Sequence, residues 1–244
     1  MNPLDTLYFL DTETTGLGSE DRLCQCAYIY QGQEYDELFK PPLPIEVGAQ
    51  AISHITNKHV ADKPVFAGSE MQAHLQNLGQ NGSVLVAHNA PFDIAMLKRD
   101  GVETEVFIDT KKVAQALDPT GELERYAMQY LRYYFELEVE NAVAHDALGD
   151  VRVLKALFMH QLSELNEQGM SEEEALAWMI EQSSLPQKVI KFTFGKYRGE
   201  KVSDVAQKDA GYIKWLFGEK QKQITSGEIS EDDEWVYTLK DYCN

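Results

Sequence analysis

The sequence predicts an α/β domain, a mixed five-stranded sheet flanked by helices, with a small C-terminal module after it. Three observations carry that expectation. Leu7-Tyr8-Phe9-Leu10 and Val84-Leu85-Val86-Ala87 are short continuous apolar runs, as in strands buried on both faces. Three strand patterns come first, and strands then alternate with helical patterns, which implies a mixed sheet. After Ser183-Ser184-Leu185-Pro186, which reads as a linker, too few residues remain to bury a large core alone. The expected boundaries are 1–183 for the first domain and 187–244 for the module.

The elements follow in order. The first strand ends in Asp11-Thr12-Glu13, and Gly16 and Gly18 then break the chain. Residues 23–31 and 34–39 read as two further strands separated by the turn residue Gly32. Pro41, Pro42 and Pro44 mark a loop, and 66–79 has a helical pattern. Pro91 can open a helix after the 84–87 strand, and Val106-Phe107-Ile108 is a fifth strand. Helical patterns follow at 110–117, 122–134 and 146–167, the last with a stripe of Val151, Leu154, Leu157, Phe158, Leu162 and Leu165. Ser171 with Glu174 makes a capping box that opens one more helix.

Composition excludes several classes. No stretch approaches the ~20 apolar residues of a membrane span. The first residues lack the basic and apolar regions of a signal peptide, so the cytoplasm is the expected compartment. Three cysteines make no disulfide framework; Cys24 and Cys26 are expected as buried reduced thiols on one face of a strand. The net charge is −18, unusual for a protein that binds phosphates. Residues 1–185 hold 12 basic and 30 acidic side chains, but 186–217 hold 7 basic and 3 acidic. That basic island is either an electrostatic footprint for a polyanion or a chance cluster on a solvated surface.

Carboxylates carry the chemical signal. Phosphodiester hydrolysis needs an attacking hydroxide, neutralisation of developing charge and a stabilised leaving oxygen, and two divalent ions supply all three. Hard cations such as Mg²⁺ want carboxylate oxygens. Asp11 and Glu13 stand at i and i+2 at the end of the first strand, so both side chains share a face. Asp93 follows the 84–87 strand through His88-Asn89-Ala90-Pro91-Phe92, near a helix start. His145 and Asp150 are five apart at the entry to the 146–167 helix. Buried together, four such acids repel one another and need cations.

Asp-Thr-Glu-Thr-Thr-Gly-Leu (11–17), His-Asn-Ala-Pro-Phe-Asp (88–93) and His-Asp-Ala-Leu-Gly-Asp (145–150) resemble, in order and spacing, the three motifs of the DEDDh, or DnaQ-like, exonuclease superfamily. Ala51-Ile52-Ser53-His54-Ile55-Thr56 is similar to that family's Ile-His-Gly-Ile-Thr loop, and Ile108-Asp109-Thr110 to its fifth-strand end. The resemblance covers about 5–165 and implies a ribonuclease H-like fold. Phe192-Thr193-Phe194-Gly195-Lys196-Tyr197-Arg198-Gly199, with the stretch through Gly211-Tyr212-Ile213-Lys214-Trp215, resembles the C-terminal segment of the exodeoxyribonuclease X family.

The resemblance implies a 3′→5′ exonuclease on DNA 3′ ends, single-stranded or duplex, serving repair or end trimming. Asp11, Glu13 and Asp150 would hold a first Mg²⁺, with Asp11 bridging to a second and Asp93 helping; Mn²⁺ can substitute. His145 is the expected general base, since an imidazole is neutral near pH 7. Thr14, Thr15, Gly16 and Leu17 are expected at the terminal nucleotide, with Asn89 and His54 on sugar or phosphate. Phe92 and Leu17 either touch a base or pack in the core. Lys196 and Arg198 are expected to contact DNA. Two alternatives stay open: an exoribonuclease trimming RNA 3′ ends, and a non-catalytic nucleic-acid-binding module.

Overall fold

Strand β1 (Leu7–Thr14) is the axis of the molecule's first unit. In the computed structural model, which describes residues 3–142 and 146–243, β1 runs four residues past its apolar stretch. It pairs antiparallel with β2 (Leu23–Tyr30), which pairs antiparallel with β3 (Gln33–Leu38). On its other side it pairs parallel with β4 (Val84–Ala87), which pairs parallel with β5 (Phe107–Asp109). The order β3-β2-β1-β4-β5 makes the expected mixed five-stranded sheet. Gln31 and Gly32, at φ 49° and 78°, close the β2–β3 hairpin, where only the primed turns match the strand twist. The edge strand β3 is mostly exposed and charged, which discourages pairing with another chain.

Helices α1 (Val47–Ser53), α2 (Asn57–Val60), α3 (Glu70–Gln80), α4 (Pro91–Arg99), α5 (Thr110–Leu117), α6 (Met128–Tyr134), α7 (Ala147–Glu167) and α8 (Glu172–Ser184) follow in chain order. Pro91 is at the first turn of α4, and Ser171 and Glu174 exchange bonds at the start of α8, as their sequence signals require. The alternation of β1 divides its neighbours. Tyr8 and Leu10 enter a core with Tyr28, Phe39, Leu75 and Leu97. Phe9 meets Phe158 of α7 edge-on at 5.3 Å. So α7 covers the face that also carries Asp11 and Glu13, while α3 and α4 cover the other.

The structure departs from the sequence pattern at several points. The 66–79 helix starts only at Glu70, because Ser69 accepts Gln72 N–H and fixes the cap there. The 122–134 helix begins at Met128, because Asp118 takes the amides of Glu122 and Leu123 at 2.8 and 2.9 Å and holds a turn instead. Ser183 is no linker residue: it lies fully buried in α8, its hydroxyl accepting Asp109 N–H at 2.8 Å. Cys24 and Cys26 are buried free thiols, but they do not share a neighbourhood. A bulge opposite Glu13 and Thr14 breaks the alternation, so Cys24 packs with Ile45, Ile55 and Val60, and Cys26 with Tyr8 and Leu10.

The chain divides into two units, one of 1–113 with 125–183, the other of 114–124 with 184–244. The second contains an isolated bridge between Lys191 and Lys201, α9 (Val202–Lys208), α10 (Ala210–Ser226) and α11 (Glu234–Cys243). Phe192, Val202, Val205, Ile213, Leu216 and Leu239 are its core. No described helix is long and apolar enough to cross a membrane.

Candidate active site

Three carboxylates meet where β1 ends against α7. Asp11, Glu13 and Asp150 each offer an oxygen, and these oxygens lie within 4.8 Å of one another. β1 supplies the first two from alternate positions, and the first turn of α7 supplies the third. Asp146 caps that helix by accepting Gly149 N–H at 3.2 Å, which fixes the direction of the turn bearing Asp150. Gln129 of α6 donates its Nε2 to Asp150 Oδ1 at 2.7 Å.

Asp93 approaches from the other face of β1. Its Oδ1 accepts the Thr12 hydroxyl at 2.7 Å and the Thr12 backbone amide at 3.1 Å. Thr12 points to the opposite side from Asp11 and Glu13, so Asp93 stands outside the 4.8 Å group. It remains in electrostatic range of both. Burial raises the Asp11 carboxyl well above its ordinary range, and the charges of Asp93, Glu13 and Asp150 add to the rise. Burial also lifts Glu13 to about 7, helped by Asp150, Asp93 and Asp146. Asp93 is lifted to about 7 by burial, against the downward pull of the two Thr12 bonds.

Carboxyls held at such values repel one another once ionised, and a divalent cation relieves that repulsion. The donor set, all carboxylate oxygen, is that of a hard cation. The acidic cluster therefore fits divalent metal. His145, expected as the general base, lies outside the described residues.

Beside Glu13 opens a cleft of about 440 Å³ lined by Thr12, Thr14, Gly16, Leu17, Ile52 and Phe92 among others. Leu17 is 86% exposed, so it is not a core residue. Thr15, expected at the nucleotide, turns away: it is fully buried, donating to Asp21 Oδ1 at 2.5 Å and accepting Arg22 N–H at 3.1 Å. Its role is to close the loop that presents Gly16 and Leu17. His54 and Asn89 do not line the cleft. His54 ends α1 in the left-handed region at φ 59°. Asn89, at φ 69°, gives its amide to Asp109 and accepts Lys111 Nζ at 3.1 Å. Thr12, Gln129 and the α1 wall of the cleft lie beyond the set of residues expected from the motifs. Thr12 was findable as the residue between two acids; Gln129 carries no sequence signal.

Lys196 and Arg198 belong to the second unit. Lys196 pairs with Asp209 at 2.9 Å and lies over the Tyr197 and Tyr212 rings at 4.6 and 4.9 Å. Lys188, Lys201 and Lys208 of the basic island are likewise paired, with Asp241, Glu122 and Glu200. Most of the island's charge is thus answered within its own unit. Phe192 is buried in this unit's core with Phe217 packed against it, whereas Phe194 and Trp215 are 40% and 56% exposed.

Comparison with known proteins agrees with this geometry. Residues 8–158 match the exonuclease family, and 192–221 match the exodeoxyribonuclease X-like C-terminal family. Exodeoxyribonuclease 10 of Escherichia coli (strain K12) is 33% identical over 217 residues, covering 86% of this chain and 90% of that protein. DNA polymerase III subunit epsilon of Treponema pallidum is 34% identical over 161 residues, covering 61% and 72%. A solved structure of exonuclease X in complex with 5′ overhanging duplex DNA superposes with a TM-score of 0.55 and 26% identity, covering 73% of this chain and 99% of that one. Sheet order, acidic cluster and sequence similarity converge: the chain belongs to the exonuclease family.

Proposed function

We propose that this chain is a divalent-cation-dependent 3′→5′ exodeoxyribonuclease that releases 5′-mononucleotides from DNA ends. The observation that carries the proposal is the meeting of Asp11, Glu13 and Asp150 within 4.8 Å, beside a largely apolar cleft. DNA is favoured as substrate because the E. coli relative is an exodeoxyribonuclease and the superposed exonuclease X is bound to duplex DNA.

Mg²⁺ is the proposed ion, with Mn²⁺ able to replace it. Bound there, a pair of such ions would neutralise charge on the phosphate and ease deprotonation of the attacking water. Asp11, Glu13 and Asp150 would hold the first and Asp11 with Asp93 the second. Thr12 holds Asp93 in place by its two bonds. His145 would accept the proton of the attacking water as general base. The exposed Leu17, which lines the cleft together with Ile52 and Phe92, supplies an apolar seat for the terminal base, and the nearby Gly16 lets the backbone approach the sugar.

Digestion of DNA and RNA oligonucleotides of one sequence, labelled at either end, tests this with and without EDTA. The expected result is stepwise loss of the 3′ label from DNA as mononucleotide, stopped by EDTA. Faster turnover of RNA would reassign the substrate, and EDTA-resistant cleavage would remove the ions from the reaction.

A further inference from the structure

Asp150 is held from outside the acidic cluster. Gln129, half-buried on α6, donates Nε2 to Asp150 Oδ1 at 2.7 Å. Its own carbonyl Oε1 accepts from Arg132 one turn later, at 3.5 Å. The same guanidinium donates to the carbonyls of Ala142 at 3.2 Å and Val139 at 3.4 Å. Arg132 therefore joins Gln129 to the chain segment that runs toward α7, and Gln129 joins both to the carboxylate.

We infer that Gln129 is a positioning residue for the metal-binding carboxylate of Asp150, with Arg132 as its anchor; the inference rests on the metal site proposed above. The chemistry of the donor matters. A neutral amide occupies one lone pair of Oδ1 and fixes the rotation of the carboxylate, yet leaves its negative charge whole for the ion. A cationic donor in the same place would neutralise Asp150 and compete with the ion. Here the cation, Arg132, stands one bond removed: it donates to the Gln129 carbonyl and so orients the amide, and it makes no ion pair with Asp150 among the described residues. A carboxylate fixed in advance loses less rotational freedom when it binds an ion.

The test is Mn²⁺ affinity of the full chain, measured without nucleic acid from the electron paramagnetic resonance of free Mn²⁺, alongside kcat as a function of Mg²⁺. Gln129→Met keeps the side chain's length and removes the donor. It is expected to weaken Mn²⁺ binding about 10- to 100-fold and to recover kcat to within about threefold at saturating Mg²⁺, the pattern of a group that positions and does not react. Gln129→Lys, which brings a cation to Oδ1, is expected to bind Mn²⁺ more weakly still. Arg132→Met is expected to move affinity in the same direction by less. Mn²⁺ affinity within twofold of wild type in both Gln129 variants, beside lost binding in Asp150→Ala, would overturn the role of Gln129 alone. Wild-type Mn²⁺ affinity in Asp150→Ala would instead remove the metal site on which the inference stands.

Discussion

Thr12 donates both its hydroxyl and its backbone amide to one oxygen of Asp93, across the strand that carries Asp11 and Glu13 on its other side. One residue of the strand β1 thus sets the position of an acid that comes from the helix α4. Thr12→Val keeps the shape and the backbone bond but removes the hydroxyl. The loss of a buried hydrogen bond to a charged group costs ~1–3 kcal/mol, so kcat/KM on DNA should fall about 5- to 150-fold. Asp93, already lifted to about 7, loses a bond that pulls it down, so the acidic limb of the pH–rate profile should move to higher pH. A profile unchanged in height and position would mean that the backbone amide alone holds Asp93.

The cluster should weaken the ion-free fold. Asp11 is raised well above its ordinary value by burial and by three neighbouring carboxyls. Asp11→Asn removes one charge at little change in volume. It should raise the melting temperature in EDTA by about 2–4 °C, equivalent to ~1 kcal/mol for a domain near this size. The same variant should lose nuclease turnover, as should Asp11→Ala. Calorimetry in EDTA checks the first expectation and oligonucleotide digestion the second. A variant less stable than wild type would mean that the carboxylate is favourably solvated.

A pH dependence follows with a definite sign. Glu13 and Asp93 titrate at about 7 when folded, above the ordinary carboxylate range that they recover on unfolding. Between about pH 4 and 7 the folded state therefore keeps protons that the unfolded chain releases, and their contribution to stability falls as pH rises. Added Mg²⁺ supplies the missing countercharge and should stabilise most at the upper end of that window. Melting curves at about pH 5.5, 6.5 and 7.5, in EDTA and in Mg²⁺, should diverge with pH. Parallel curves would contradict the coupling between the acids.

The sheet was legible because its central strands obey one rule. Leu7–Leu10 and Val84–Ala87 are apolar throughout, as strands buried on both faces must be. The α7 stripe gave the covering helix, and its junction with Asp150 gave one corner of the site. Other features depend on contacts that a pattern does not contain. The α1 helix has only seven residues, and two of its apolar side chains, Val47 and Ile52, are exposed, so no buried stripe marks it. Residues 122–127 have helical composition, but Asp118 captures their first amides. Motif order brought Asp11, Glu13 and Asp150 together in advance, since each closes or opens a core element. It did not reveal that Asp93 arrives from the opposite face of β1, or that Thr15 turns inward to Asp21.

Gly121 tests where the 114–124 segment packs. Its φ is +68°, and a Cβ there would collide with the Ile190 side chain in the same unit. Gly121→Ala should destabilise that unit by ~2–3 kcal/mol through steric overlap and left-handed strain. Ile190→Ala should relieve the overlap but not the strain, leaving a coupling of ~1 kcal/mol or more in the double-mutant cycle. Additive effects of the two substitutions would mean that Gly121 and Ile190 do not meet.

Lys196 and Arg198 are neighbours in sequence with opposite situations. Lys196 is bonded to Asp209, whose carboxyl is drawn down to about 2, first by the Tyr197 hydroxyl and then by Lys196. Asp209 also caps α10 through Tyr212 N–H. Lys196→Gln should therefore loosen the turn between Gly195 and Tyr212, seen as a lower melting temperature of the second unit. Arg198 is exposed and makes no ion pair among the described residues, so Arg198→Gln should leave stability unchanged. If the basic island contacts DNA, Arg198→Gln should raise KM on an oligonucleotide while sparing hydrolysis of a nitrophenyl thymidine phosphate. A stable Arg198→Gln protein with unaltered KM on DNA would assign the island to holding its own unit together, as the pairing of Lys188, Lys196, Lys201 and Lys208 with internal acids already suggests.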